Sequence, residues 1–142
     1  MDTVAEAIRT YRDGDVIVRE GDFGADMFMI LKGSVRIVKE KEGHETALAT
    51  LGPGEIFGEM ALVEEGKARS ATAIANGDVT LLVMDKAEFL EQVRRDPNLA
   101  FDILKSVCKR LRQVDEVLQD LDVRDQKRQE HLRSFIRSRG MF

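Results

Sequence analysis

Met27-Phe28-Met29-Ile30-Leu31-Lys32-Gly33-Ser34-Val35-Arg36-Ile37-Val38 decides the fold class of this chain. Two short apolar runs rich in β-branched and aromatic residues flank the turn signal Lys32-Gly33-Ser34, the pattern of paired strands. The pattern repeats outward. Upstream, Val16-Ile17-Val18 lies between Asp13-Gly14-Asp15 and Gly21-Asp22. Downstream come Thr46-Ala47-Leu48-Ala49-Thr50-Leu51, Ala71-Thr72-Ala73-Ile74 and Val79-Thr80-Leu81-Leu82-Val83-Met84, punctuated by Glu42-Gly43-His44, Gly52-Pro53-Gly54 and Asn76-Gly77-Asp78. Many short strands at this spacing predict an antiparallel sandwich, barrel or jelly roll. At the N-terminus Ala5, Ile8 and Tyr11 read as a brief helix.

After Met84 the period changes from two to about 3.6. Asp85 followed by Glu88 fits a capping box, and Phe89, Leu90 and Val93 mark a short helix. Asp96-Pro97 restarts a second helix with Pro at its first position, and no Gly or Pro follows until Gly140. In this helix Leu104, Leu111 and Leu118 alternate with Val107, Val114 and Leu121 as the a and d positions of three heptads. The seam predicts a homodimer through two parallel helices, with packing on the chain's own β-domain as the alternative; Cys108 beside it reads as an inert packing thiol. The overall expectation is a mainly β, α+β chain: a β-domain with short flanking helices over 1–96, a long helix over 97–123 and a basic tail over 124–142.

A chain of 142 residues with 43% hydrophobic and 34% charged residues builds one core. No apolar run approaches membrane-spanning length and the first residues lack the pattern of a signal peptide, so a cytoplasmic protein without membrane insertion is expected. Cys108 alone cannot form an internal disulfide or a Cys-rich metal site, and His44 and His131 are few for a metal enzyme. No Ser or Cys sits in a recognisable nucleophile motif with His, so no enzyme, metal or catalytic cofactor is expected. The net charge of −4 conceals a +4 segment at 124–139 on a body of −8.

The chemistry concentrates in Gly54-Glu55-Ile56-Phe57-Gly58-Glu59-Met60-Ala61-Leu62 and, after a polar link, Arg69-Ser70-Ala71-Thr72. Gly58 allows close backbone approach, Glu59 offers a carboxylate, and the turn at 60–62 can present free N–H groups. Arg69, which stays charged when buried, can fork onto an anion. Together they suit a small anion that carries a hydroxyl. The competing reading is a mutual Glu59–Arg69 ion pair, or two solvated charges.

Phe57 to Leu62 with Arg69-Ser70-Ala71 closely resembles the phosphate-binding cassette of the cyclic nucleotide-binding domain family. The segments at 16–22 and 27–35 also resemble that family's early strands, and the resemblance covers residues 12 to 121. It implies an eight-stranded jelly roll, or double-stranded β-helix, that holds a 3′,5′-cyclic nucleotide and is followed by a ligand-responsive dimerisation helix. By resemblance Glu59 accepts a hydrogen bond from the ribose 2′-hydroxyl and Arg69 pairs with the cyclic phosphate. Gly58, Met60 and Ala61 present backbone groups, the Ser70 hydroxyl and the Ala71 N–H complete the phosphate shell, and Phe57 and Leu48 belong to the pocket, Leu48 as a wall against the base.

Two departures stand out. Val114 and Asp115 occupy positions where catabolite-activator-like members carry hydroxyl residues that contact the purine; cAMP is the expected ligand, and cGMP remains open through Ser70. Arg110 is a further candidate, either approaching the pocket or neutralising Glu59. Secondly, about 20 residues follow the dimer helix, where catabolite-activator-like members continue into a winged helix-turn-helix, so sequence-specific DNA binding is not expected. The leading expectation is a stand-alone cyclic nucleotide receptor that relays binding to a dimer interface or a partner protein. The alternatives are a non-binding interaction module and a regulatory piece that docks through Phe135, Ile136 and the tail arginines.

Overall fold

The computed structural model describes residues 7–64, 66–122 and 133–137. In chain order the elements are β1 (Ile8–Tyr11), β2 (Val16–Val18), β3 (Met27–Lys41), β4 (His44–Leu51), β5 (Ile56–Phe57), α1 (Met60–Val63), β6 (Thr72–Met84), α2 (Lys86–Arg95) and α3 (Asn98–Asp122). All strand pairings are antiparallel: β6 takes β1, β2 and β3, and β3 takes β4 and β5 as well.

The two apolar runs of 27–38 are one strand. β3 continues through Lys32-Gly33-Ser34, but its register against β6 shifts on both sides of Lys32. Gly33 makes that corner possible, with φ +85° and a position where a Cβ would lie 2.2 Å from the Asp78 carbonyl oxygen. β6 turns its own corner around Asn76-Gly77, where the Gly77 N–H donates to Asp13 Oδ1 at 2.7 Å. Counting each half of these two bent strands separately gives the eight segments of a jelly roll.

The N-terminal helix expectation is wrong for the described part: Ile8 and Tyr11 lie in β1, in register with Leu82 and Val79. Spacing of three suits a helical turn, but the outer edge of β6 offers unpaired backbone groups that only a strand can satisfy. Ala5 lies outside the described residues.

The main core gathers inward residues of β3 and β6, including Ile30, Val35, Ile37, Ala73, Val79 and Leu81, with Phe28 and Phe57 stacked at 4.9 Å between ring centroids. A second cluster of Met27, Ile56, Leu62 and Met84 forms the seat of the C-terminal helices, on which Phe89, Ile103 and Val107 pack. Asp85 caps α2 as expected, accepting from Glu88 N at 2.8 Å. Asp96 Oδ1 accepts from Asn98 N at 3.1 Å, and Pro97 falls just before α3.

The helix seam divides. Val107 turns inward onto the β-domain and Val114 and Leu118 are half-buried, whereas Leu104 and Leu111 stay 56% and 50% exposed beside Phe101 and Val117. The Leu121 side chain lies outside the described residues. Cys108 is exposed, so it is not a packed thiol. Of the tail, residues 133–137 form a helical turn with Phe135 and Ile136 half-buried; 124–132 and 138–142 lie outside the described residues. No described helix is long and apolar enough to cross a membrane.

Candidate functional site

The site forms where β5 ends. Buried Ile56 and Phe57 pin the chain against Met29 and Phe28 of β3, and Gly58 then turns with φ +73° into α1. Within this turn the Ala61 and Leu62 N–H groups donate to the Gly58 and Glu59 carbonyls, both at 3.1 Å, so they close the turn rather than stand free.

Arg69 arrives from the other side. Its backbone is held by the 21–22 loop, with Gly21 N donating to Arg69 O at 2.9 Å and Arg69 N to Asp22 O at 2.8 Å. Its guanidinium donates to the Asp26 carbonyl at 2.9 Å and the Gly58 carbonyl at 3.4 Å, and lies 5.7 Å from the Phe28 ring centroid. Burial lowers its pKa and the Asp26 carboxylate opposes this, yet a guanidinium remains charged at neutral pH. Gly24 and Gly58 leave room for it: a Cβ at either would fall 2.6 or 2.8 Å from a guanidinium nitrogen.

Glu59 does not pair with Arg69. Its Oε1 accepts from Arg110 Nη1 of α3 at 2.8 Å, and Arg110 Nη2 donates to the Ile56 carbonyl. Both side chains are nearly enclosed, at 13% and 5% exposure. Burial raises the Glu59 pKa above its ordinary range, with the Arg110 charge pulling the other way. Its second oxygen, Oε2, is buried and accepts no hydrogen bond among the described residues, an open acceptor suited to a hydroxyl.

A cavity of about 310 Å³ opens between these elements, lined by Phe57, Gly58, Met60, Ala61, Arg69, Ser70 and Ala71 of the expected residues. Glu59 and Arg110 stand beside it as a pair. Leu48, Val114 and Asp115 do not line it: Leu48 packs against the main core, and α3 reaches the domain through Ile103, Val107 and Arg110, leaving Val114 half-buried and Asp115 exposed. Sequence reasoning missed Val18, Ile37 and Ala73 as lining residues, the apolar wall contributed by β2, β3 and β6; each lies in a run already read as a strand, and nothing in the run marks which residue faces the cavity. It also missed Lys67 and Arg137, which with Arg69 outnumber Glu64 on the lining and favour an anion. Among the described residues no cluster of His, Cys, Asp or Glu could hold a metal ion.

A cationic cavity in a jelly roll, with a buried open carboxylate oxygen on Glu59 next to the lining residues Gly58 and Met60, has the form of a cyclic nucleotide-binding module. The chain belongs to that family: the cyclic nucleotide-binding domain model matches residues 8–96. It is 40% identical over 108 residues to the cyclic AMP receptor protein of Thermus thermophilus, covering 75% of this chain and 50% of that protein. It is also 40% identical over 89 residues to human cGMP-dependent protein kinase 2, covering 61% of this chain and 12% of the kinase. The crystal structure of Thermus thermophilus catabolite activator protein superposes with a TM-score of 0.67 at 39% identity, over 81% of this chain and 54% of that one. The chain thus spans about half the length of these bacterial relatives.

Proposed function

We propose that the chain is a receptor module, not an enzyme, that binds a 3′,5′-cyclic nucleotide, with cAMP preferred, and reports binding through α3. The observation that carries the reading is the Arg69 guanidinium, fixed by two carbonyls at the wall of the 310 Å³ cavity beside Ser70 and Ala71. The cyclic phosphate meets Arg69, the Ser70 hydroxyl and the Ala71 N–H, and the ribose 2′-hydroxyl donates to Glu59 Oε2. The base lies against apolar wall rather than a hydroxyl on α3, since neither Val114 nor Asp115 reaches the cavity. The similarity to a protein named cyclic AMP receptor supports cAMP; the kinase similarity makes cGMP the rival.

Glu59 is the natural relay. It touches the ribose on one side and Arg110 of α3 on the other, so occupancy acts directly on the helix. Ligand shifts the helix only by its differential affinity for two helix positions. The half-exposed Leu104 and Leu111, with Phe101 and Val117, form the face through which a second copy pairs. The tail is the candidate element for a downstream partner.

Thermal unfolding with cAMP, cGMP and AMP tests the reading. A ligand at 100 times its Kd adds about 2.7 kcal/mol of stability. A shift with a cyclic nucleotide but not with AMP is expected, and Arg69→Ala should weaken binding by roughly 30- to 3000-fold, the equivalent of about 2–5 kcal/mol. Absence of any shift in protein freed of bound nucleotide overturns it.

A further inference from the structure

One buried cation belongs to neither the cavity lining nor the helix contact. Lys39, near the end of β3, is 5% exposed. Against β4 the register shifts beside it, Ile37 facing Ala49 and Val38 facing Ala47 with Leu48 of β4 as the extra residue, and Ile37, Val38 and Lys39 are buried in succession. Its ammonium donates to the Ser70 carbonyl and lies 3.3 Å from Glu20 Oε2. Glu20 is itself fixed, its Oε1 accepting from Glu40 N at 3.1 Å and its N–H donating to Thr72 Oγ1 at 2.9 Å. Burying a lysine is costly unless it is paired and hydrogen-bonded. Here the cation is shared between the Glu20 carboxylate and one peptide carbonyl of the cassette.

That peptide unit joins Ser70 to Ala71, and both residues line the cavity. In a trans peptide the C=O and the next N–H point in opposite directions, and the chain has no cis bond among its described residues. A carbonyl held by Lys39 therefore aims the Ala71 N–H away from Lys39. This N–H donates to no acceptor among the described residues, although Ala71 is only 7% exposed. A cation on the oxygen also polarises the unit and strengthens the N–H as a donor.

We propose that Lys39 is a positioning residue for the bound anion: from behind the cassette it orients and polarises the Ser70–Ala71 peptide so that the Ala71 N–H meets the phosphate. The proposal rests on the cyclic nucleotide reading above. Calorimetric titration of wild type, Arg69→Ala and Lys39→Met with cAMP and with adenosine, which lacks the phosphate, separates the two. Lys39→Met should bind cAMP about tenfold more weakly, in line with the strength of a charge-assisted hydrogen bond, and adenosine as wild type does. If wild type binds cAMP and Arg69→Ala does not, but Lys39→Met matches wild type, the proposal is overturned and the receptor reading stands. Equal weakening toward both ligands overturns it in favour of a merely structural role. If wild type binds neither ligand, both fall. Should Lys39→Met not fold, NMR of the wild type decides: the Ala71 amide and Lys39 ammonium resonances should shift together at cAMP saturation, and if either stays fixed the proposal is overturned.

Discussion

Glu59 and Arg110, separated by 51 positions in the chain, meet at 2.8 Å between the cassette turn and α3. No other ion pair among the described residues is so enclosed on both sides, and it ties the expected ribose contact to the helix that carries the exposed leucines.

Removing one partner of this pair leaves a buried charge uncompensated. Arg110→Met should destabilise the fold by about 3–5 kcal/mol, read by urea unfolding. The double variant Glu59→Gln/Arg110→Met should recover part of the loss, because the second change removes the stranded carboxylate. A double variant as unstable as the sum of both singles would refute the coupling.

Glu59 also sets a pH signature. Its folded pKa is raised by burial, so the stability it contributes is fully present below the ordinary glutamate pKa of about 4.3 and is lost as pH rises through the raised value. The stability of wild type relative to Glu59→Gln should therefore fall across that window and then level off. Cyclic nucleotide affinity should run the other way, weakening as pH drops through the same window, because an ionised carboxylate accepts from the ribose hydroxyl more strongly than a protonated carboxyl does. Denaturant titrations and calorimetry over a pH series check both slopes.

Gly58→Ala tests the crowding around Arg69. The residue sits at φ +73° and the new Cβ would press to 2.8 Å from the guanidinium. A stability loss of about 1–3 kcal/mol is expected from the backbone alone, together with at least about tenfold weaker cyclic nucleotide binding as Arg69 is displaced. Normal affinity would mean that Arg69 can move without consequence for the ligand.

The paired substitution Leu104→Glu/Leu111→Glu places charges on two half-exposed positions. Sedimentation should show a concentration-dependent dimer for wild type and a monomer for the variant, with monomer stability changed by no more than about 0.5 kcal/mol. A wild-type monomer at all concentrations would remove the dimer from the proposal.

β2, β3, β4 and β6 and the cap at Asp85 were legible because period, turn residues and capping spacing are local properties of the chain; the two-residue β5 is too short to show a period. The cassette was legible for the same reason, with its residue types compressed between positions 57 and 71. What escaped was non-local. The Ile8–Tyr11 segment needed knowledge that the outer edge of β6 lay open. The heptads foretold an apolar stripe but not that Val107 would turn to the chain's own second core cluster while Leu104 stayed outside. Arg69 is held by the carbonyls of Asp26 and Gly58, and backbone carbonyls leave no trace in residue identity. Lys39, in a run of charged residues, reads as a solvated strand end until its burial against the Ser70 carbonyl and Glu20 is seen.

The two bent strands bear on how the molecule comes apart. β3 is hydrogen-bonded to β4, β5 and β6, and β6 in turn to β1 and β2. Neither half of the roll can open without loosening a strand that also belongs to the other half. Amide protons on both sides of the Gly33 corner should thus exchange with solvent through one shared event, and the roll should melt as a unit.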